Sequence, residues 1–243
     1  MNRAIDDDES DDALHARYQR LLQRLESNEG EFRRLGRSVW RVQEDERRRL
    51  ARELHDGVGQ NLTALKHRLA LLGSELAPGQ QALREKLEAA IALCAATLED
   101  TRQLSRLLRP PILDDLGLEP ALRWLARSVR EGGGPEVELD IAPVADLDGD
   151  AQTLLFRIAQ EALNNVAKHA QAGHASLRLR RLGGVVELRI EDDGHGCEPV
   201  QALQAGGSGL GGMRERLRLY GGRLEVQSAA GEGMRLIATI AFD

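Results

Sequence analysis

The chain has 243 residues with a formal net charge of −6, and 42% of its residues are hydrophobic. This length allows one medium domain or two small ones with a real hydrophobic core. The acidic balance argues against a general nucleic-acid binder, so we predict no nucleic-acid partner. Because only 3% of the residues are aromatic, the core is expected to consist mostly of aliphatic side chains.

The sequence carries no signal for export or membrane insertion. Its acidic start cannot be a signal peptide, which needs basic residues and an apolar centre. No apolar run approaches the roughly 20 residues that span a bilayer. Cys94 and Cys197 are far apart and fit free thiols in a reducing compartment. We therefore predict a cytoplasmic chain without membrane insertion, unless it is a fragment of a longer protein.

The N-terminal part of the chain is predicted to form a coiled coil. Residues 1–12 are polar and acidic, which predicts a disordered tail. Over residues 13–45, side chains recur at the heptad spacing of coiled coils. One seam holds Tyr18, Leu25, Phe32 and Val39, and the other holds Leu21, Asn28, Leu35 and Val42. The seam loses its apolar residues over residues 44–49.

Residues 46–110 are predicted to form a helical hairpin. One apolar stripe runs from Leu50 to Leu76, and a second runs from Leu83 to Leu108. The turn is predicted at residues 77–80, and two prolines at 110 and 111 end the second helix. Since a single hairpin cannot bury both stripes, we predict a homodimer that forms a four-helix bundle.

Residues 111–243 mix helical and strand patterns, which predicts an α+β domain with helices on one face of a sheet. Residues 174–182 and 185–192 alternate with period two and are separated by two glycines, which is a hairpin signal. A second hairpin is predicted near the C-terminus, after a glycine loop that opens a helix. The domain boundary is expected near residues 110–113.

A long helix in this domain carries Glu161, Asn165 and then Lys168 or His169 on one face, at spacings of four and three. A carboxylate, an amide oxygen and a cation in this arrangement suit a complex of Mg²⁺ with phosphate groups. A solvated helix face is the commoner explanation for such a cluster taken alone.

Two glycine-rich stretches follow that helix. The first is a strand end at Asp192 and Asp193, where a carboxylate can accept a hydrogen bond from a ligand amine beside the glycines. An ordinary acidic turn has the same composition. The second is the loop before the next helix, which can form an anion cradle. It contains Gly207, Gly209, Gly211 and Gly212. It is neither the dinucleotide fingerprint nor a Gly-Lys-Ser/Thr phosphate loop.

The first hairpin helix contains a polar group of its own. His55 and Asp56 lie beside the apolar stripe, and Gln60 is predicted one turn beyond Asp56 on the same face. A histidine on a helix is more often an exposed bystander than a reactive group. The second histidine of a zinc-protease helix is missing.

The order of these motifs resembles that of two-component sensor histidine kinases, and more narrowly the nitrate/nitrite-sensor-like subfamily. The resemblance runs from about Glu46 to the C-terminus. It rests on "ERRRLARELHDGVGQNLTALK", "LRPPILDDLGLEPAL", "QEALNNVAKHA", "DDGHG" and "GSGLGGMRERLRLYGG". It implies a multi-domain α and α+β fold, in which a coiled-coil signalling helix and a dimeric helical hairpin precede an α/β sandwich ATP-binding domain of Bergerat type.

The resemblance also implies residue roles, with ATP and Mg²⁺ as cofactors. His55 would accept the γ-phosphoryl group of ATP, and Asp56 would orient the imidazole and take its proton. Gln60 would position a water for dephosphorylating a response regulator. Glu161, as general base or water-holder, and Asn165 are the implied Mg²⁺ ligands. Lys168 or His169 would contact the phosphates, and Asp192 rather than Asp193 would accept a hydrogen bond from the adenine amino group. Gly194 and Gly196 would lie beside the base. A lid would be formed by Gly207, Gly209 and Gly211.

The implied partners are a second copy of the chain, the receiver domain of a response regulator and an upstream sensor. One residue departs from the family pattern, because Met234 stands where a threonine usually follows Gly-x-Gly. This departure keeps open an alternative, namely a regulatory dimer or phosphatase with weak kinase activity. A related ATPase or serine kinase that shares the ATP-binding fold is a third hypothesis, which the His-Asp pair argues against.

Overall fold

The computed structural model describes residues 6–144, 147–197 and 209–241. The N-terminal part is helical and contains α1 (Asp6–Arg52), a first π-helical segment (Glu53–Gly59), α2 (Gln60–Ser74) and α3 (Gln81–Leu108). The C-terminal part contains α4 (Pro111–Leu116), α5 (Leu118–Glu131), β1 (Glu136–Ile141), α6 (Gly149–Asn165), a second π-helical segment (Val166–Ala170), β2 (His174–Leu182), β3 (Val185–Asp192), α7 (Leu210–Leu219), β4 (Arg223–Ser228) and β5 (Met234–Ala241).

The predicted helical hairpin is confirmed, with α2 and α3 packed against each other. α3 ends because Arg109 is extended, at φ −161° and ψ 115°, as expected for a residue that precedes a proline. Two details of the N-terminal part differ from the predictions. α1 begins at Asp6, inside the predicted disordered tail, and it continues without a break through the predicted boundary at residue 45. Acidic side chains are favourable at a helix N-terminus, which offsets their repulsion there.

The predicted coiled-coil seam is uncovered within a single chain. Phe32 is 74% exposed, and Leu35, Val39 and Val42 are 64%, 64% and 67% exposed. Large apolar side chains clustered on one face of a long helix usually pack against a partner surface. Their exposure therefore supports the predicted coiled coil.

The five described strands form one sheet with the order β1-β2-β3-β5-β4. β1 runs parallel to β2 and the other neighbouring strands are antiparallel. Both predicted hairpins, β2–β3 and β4–β5, are confirmed. Gly183 in the first hairpin turn has a positive φ of 62°, a conformation that favours glycine.

One face of this sheet is buried beneath α5, α6 and α7, as the sequence predicted. Strand residues with side chains on the buried face are Ala175, Leu177, Leu179, Val186, Leu188, Ile190, Leu236, Ala238 and Ile240. Among the largest fully buried side chains that the structure describes, Phe156 is the only aromatic one. The core is therefore aliphatic, in agreement with the composition.

A buried ionic cluster, here called the Glu44 cluster, joins α1 to the C-terminal part of the chain. It consists of Glu44, Arg109 and Arg157, each no more than 7% exposed. Arg157 Nη2 donates to Glu44 Oε2 at 2.7 Å, and Arg109 Nη1 donates to the same oxygen at 3.3 Å. The cluster explains why the apolar seam is interrupted near residue 44, because α1 there faces charged groups of its own chain.

Glu44→Gln is expected to lower the free energy of unfolding by about 3 kcal/mol, because it leaves the buried guanidinium of Arg157 without a countercharge. Urea denaturation measures this loss. The double variant Glu44→Leu/Arg157→Met removes both charges at similar volume, and should unfold within about 1 kcal/mol of the wild type. An equal loss in the single and double variants would contradict this explanation.

Candidate active site

A cavity of about 260 Å³ lies where α6, the second π-helical segment, β3, α7 and β5 meet. Its apolar walls are Ala162, Val166, Ala170, Ile190, Leu210, Met234 and Leu236. Its other lining residues are Asn165, His169, Asp192, His195, Gly196 and Cys197. A mostly apolar cavity with a few polar groups is typical of small-molecule sites.

Asp192 ends β3 and is half-buried in the cavity wall. Its Oδ1 accepts a hydrogen bond from the Gly194 N–H at 2.9 Å. Burial raises the pKa of this carboxyl above its ordinary value, and hydrogen bonds from the N–H groups of Gly194 and Met234 oppose the rise. Asp192 can therefore accept a hydrogen bond from a ligand N–H inside an otherwise apolar pocket.

The neighbouring Asp193 lies outside the cavity lining and is exposed. Its Oδ1 accepts hydrogen bonds from the N–H groups of Gly173 and His174, at 2.8 and 2.9 Å. The pKa of its carboxyl is lowered, chiefly by the hydrogen bond from His174. Asp193 thus fixes the start of β2, and the geometry favours Asp192 as the ligand-binding carboxylate.

The sequence predicts that Gly194 and Gly196 lie beside a nucleotide base. In the structure, backbone atoms of the protein lie close to the Cβ positions of both glycines. A Cβ at Gly194 would lie 2.3 Å from the carbonyl oxygen of Ala170. A Cβ at Gly196, where φ is +65°, would lie 2.1 Å from the carbonyl oxygen of Ala229. Gly196 lines the cavity but Gly194 does not. A side chain at either position would clash with neighbouring backbone, so the packing of the turn requires glycine at both.

The Gly-x-Gly before β5 offers a matched test of this packing. Gly233 has φ +72°, and a Cβ there would lie 2.0 Å from the carbonyl oxygen of Asp192. Gly231 has φ +81° but has no atom within 4 Å of its Cβ position. We expect Gly233→Ala to lower the free energy of unfolding by about 3 kcal/mol. Gly231→Ala should cost about 1 kcal/mol, from backbone strain alone. Urea denaturation compares them, and equal losses would show that the close contact does not matter.

The polar cluster of α6 and the second π-helical segment is only partly directed at the cavity. Asn165 and His169 line it, whereas Lys168 is exposed and lies outside the lining. Glu161 is half-buried one turn before Asn165. Carboxylate and amide oxygens are ligands that Mg²⁺ takes together with waters and substrate phosphates. Within the described ranges no group of three or more acidic, His or Cys side chains could hold a metal ion. Glu161 and Asn165 carry oxygen atoms of the kind that Mg²⁺ binds.

The start of α7, which follows the glycine loop in sequence, lies next to the same cavity. Gly207 lies outside the described residues. Gly209 precedes α7, and Leu210 and Gly211 are its first residues. Leu210 lines the cavity, and a Cβ at Gly209 would lie 3.8 Å from Glu161 Oε1. The unpaired N–H groups at the start of α7 are therefore close to the candidate metal ligands.

His55 is exposed in the first π-helical segment. Such segments are rare and often occur at functional sites. The residue borders two depressions, one of about 500 Å³ that includes Asp56 and one of about 330 Å³ that includes Gln60. Asp56 lines one of these depressions and Gln60 lines the other, and their placement on one helical face stays a prediction.

Several cavity residues were not among the sequence candidates. Ile190, Leu236 and Cys197 belong to strand ends or turns next to the glycine stretches. The signal that could have found them is the alternation of β3 and β5, since the buried face of each strand continues into the cavity wall. Met234 was noted as a departure, and the structure places it in that wall opposite Asp192 in register.

The described part of the chain thus joins a helical hairpin that carries an exposed histidine to an α/β domain with a carboxylate-bearing cavity. Residues 46–113 match the family described as "Histidine kinase". Residues 150–243 match the family described as "Histidine kinase-, DNA gyrase B-, and HSP90-like ATPase". The chain belongs to the two-component sensor histidine kinases, in the nitrate-sensor-like subfamily.

Three curated relatives are similar over most of this chain. The sensor histidine kinase MctS of Rhizobium johnstonii is 36% identical over 191 residues, which cover 77% of this chain and 41% of MctS. The sensor histidine kinase ComP of Bacillus subtilis is 33% identical, over 83% of this chain and 27% of ComP. The signal transduction histidine-protein kinase/phosphatase UhpB of Salmonella typhimurium is 35% identical, over 88% of this chain and 43% of UhpB.

The chain spans less than half the length of each of these relatives. Across residues 6–144, 147–197 and 209–241, no helix has both the length and the apolar character needed to cross a bilayer.

Proposed function

We propose that this chain is an ATP-dependent protein histidine kinase whose phosphoacceptor is His55. The observation that carries the proposal is that one chain holds both an exposed histidine on a helical hairpin and a separate cavity lined by Asp192. The lone-pair nitrogen of the neutral imidazole attacks the γ-phosphorus of ATP. The bond from that phosphorus to the β,γ-bridging oxygen breaks, ADP leaves, and the ring proton passes to Asp56. His55 and Asp56 border the same depression, which supports this proton transfer.

The cavity would hold the nucleotide through complementary contacts. Asp192 accepts a hydrogen bond from the adenine amino group, and the apolar walls cover the ring. Glu161 and Asn165 hold Mg²⁺, which when bound neutralises charge on the phosphates. His169 is the stronger candidate for a phosphate contact because it lines the cavity, while Lys168 lies beside it. The N–H groups that follow Gly209 at the start of α7 receive phosphate oxygens.

The working unit would be a homodimer that acts on a response regulator. Hairpin side chains such as Val58, Leu65 and Leu72 are 43%, 47% and 54% exposed in the single chain, which supports a four-helix bundle. A receiver domain docks beside His55 and takes the phosphoryl group on an aspartate. Gln60 then positions a water that removes it, a phosphatase step supported by the position of Gln60 next to His55. A cytoplasmic location and an upstream sensor partner stay predictions.

One observation favours a second candidate function. Met234 places a thioether in the cavity wall where relatives of this family usually have a threonine hydroxyl. A weaker nucleotide site would make the chain a regulatory dimer or a phosphatase that binds the response regulator with little kinase activity.

The chemistry of the phosphorylated product tests the proposal. The purified chain is incubated with γ-labelled ATP and Mg²⁺, and the label should be lost in acid and retained in base, as phosphohistidine requires. A label that is stable in acid and lost in base would indicate a serine kinase instead. Absence of label and of ATP binding, with receiver-domain binding retained, would favour the regulatory dimer.

A further inference from the structure

The depression that contains His55 and Asp56 is also lined by three arginines, Arg48, Arg52 and Arg109. Two of them are committed to one carboxylate. Arg48 Nε donates to Asp114 Oδ2 at 2.9 Å, and Arg109 Nη2 donates to Asp114 Oδ1 at 2.8 Å. Although partial burial would raise the pKa of Asp114, these arginines hold it at about 2. Asp114 therefore stays ionised and keeps both guanidinium groups occupied.

Arg52 differs from its two neighbours. Within the part of the chain that the structure describes, its one hydrogen bond as donor runs from Nε to the carbonyl oxygen of Arg48, at a long 3.4 Å, and no carboxylate lies within salt-bridge distance. It is exposed and is the last residue of α1, three residues before His55. Both side chains line the same depression.

The depression that contains Gln60 has an arginine that is already paired with a carboxylate. Arg102 lines it, but its guanidinium lies 3.7 Å from the carboxylate of Glu99. A phosphoryl group on His55 would bring a charge of about −1.5 to −2 with three acceptor oxygens. A planar guanidinium binds such oxygens through two parallel hydrogen bonds.

We infer that Arg52 is a catalytic residue of the phosphotransfer, binding the phosphoryl oxygens as the group moves from ATP to His55. This inference rests on the proposed function. Because the charge on those oxygens shifts during transfer, the contact acts on the rate and leaves nucleotide binding in the separate cavity unchanged. In the same step, Asp56 takes the ring proton and Arg52 binds the phosphoryl group.

Autophosphorylation kinetics provide the first test. With saturating ATP and Mg²⁺ and no response regulator, Arg52→Gln should lower kcat about 10- to 100-fold, with KM for ATP unchanged within about twofold. Arg52→Lys should restore part of the rate, because lysine keeps the positive charge but cannot form two parallel hydrogen bonds to the phosphoryl oxygens. The matched control is Arg49→Gln, in the same helical turn but paired with Glu46 and outside the depression, which should keep the wild-type rate.

A wild-type kcat in Arg52→Gln would overturn the inference. So would slowed transfer to a receiver domain with normal autophosphorylation, which would make Arg52 a docking residue. A raised KM together with a lowered melting temperature would indicate a structural role and would also overturn it.

A second readout does not depend on kinase activity. Phosphoramidate, a small phosphodonor, transfers its phosphoryl group to imidazole nitrogen with release of ammonia, and so can load His55 without ATP. The ³¹P signal of phospho-His55, assigned by its loss in His55→Gln, is titrated with pH. The guanidinium of Arg52 favours the more highly charged phosphoryl form. Its removal in Arg52→Gln should raise the pKa of the phosphoryl group, whereas Arg49→Gln should leave it unchanged. An unchanged titration in Arg52→Gln would refute the contact. A wild-type chain that fails to label from ATP would refute the proposed function alone.

Discussion

His55→Gln is expected to reduce the label incorporated from γ-labelled ATP to background, because the variant has no nucleophilic ring nitrogen at the phosphoacceptor position. Glutamine is a good helix former, and His55 is exposed, so the hairpin should fold as in the wild type. Nucleotide affinity should also be unchanged, since His55 does not line the cavity that contains Asp192. The measurement is incorporated label per chain, with the melting temperature and ADP affinity recorded on the same preparation.

The chain offers a matched control for this loss. His67 is an exposed histidine of α2 that borders the same depression as His55 and Gln60. His67→Gln removes an imidazole of similar exposure and should keep full labelling. Label retained in His55→Gln, or lost equally in both variants, would be incompatible with His55 as the phosphoacceptor.

Asp192→Asn is expected to weaken binding of ADP with Mg²⁺ about 10- to 100-fold, the value of one hydrogen bond to a charged group. The carboxylate is a pure acceptor, whereas the amide presents a donor group that can face the adenine amino group. Burial raises the pKa of Asp192, so its ionised form is disfavoured in the folded chain and opposes folding at neutral pH. The variant should therefore melt at or above the wild-type temperature, and isothermal titration calorimetry should report the affinity loss alone.

Asp193→Asn is the neighbouring control, with the opposite expected profile. Asp193 holds the N–H groups of Gly173 and His174 and lies outside the cavity. Its lowered pKa means that the ionised form stabilises the folded chain above the ordinary pKa, and that this contribution is lost as the pH falls through the lowered value. Asp193→Asn should lower the melting temperature at neutral pH and keep ADP affinity. An affinity loss confined to Asp193→Asn would reverse the two assignments.

Local patterns in the sequence were sufficient to predict most of the fold. The two hairpins of the sheet follow from period-two alternation interrupted by glycines, as at Gly183, and the end of α3 follows from the prolines. The residues that meet at the cavity, such as Asn165 and Asp192, were also identified from motifs. These features depend on interactions between residues close in sequence, and such interactions leave a readable pattern.

Features that depend on distant contacts could not be predicted in this way. The partners of Glu44 lie 65 and 113 residues away, so a buried carboxylate on α1 looked like an interruption of a seam. The packing of Trp40 on α1 against Arg216 of α7 is likewise a contact between residues that are distant in sequence. The π-helical segment that carries His55 was also not predicted, because hydrophobic periodicity gives no signal for it.

The most direct test of the central claim is to locate the phosphoryl group in the wild-type chain after incubation with ATP and Mg²⁺. Trypsin cleaves after Arg52 and Lys66, and the resulting peptide 53–66 contains His55 as its only histidine and Thr63 as its only hydroxyl residue. Mass spectrometry of this peptide, prepared at neutral to basic pH, should place the phosphoryl group on His55, and brief acid treatment should remove it. A phosphoryl group on Thr63, or on a peptide outside residues 53–66, would contradict the assignment of His55 as the phosphoacceptor.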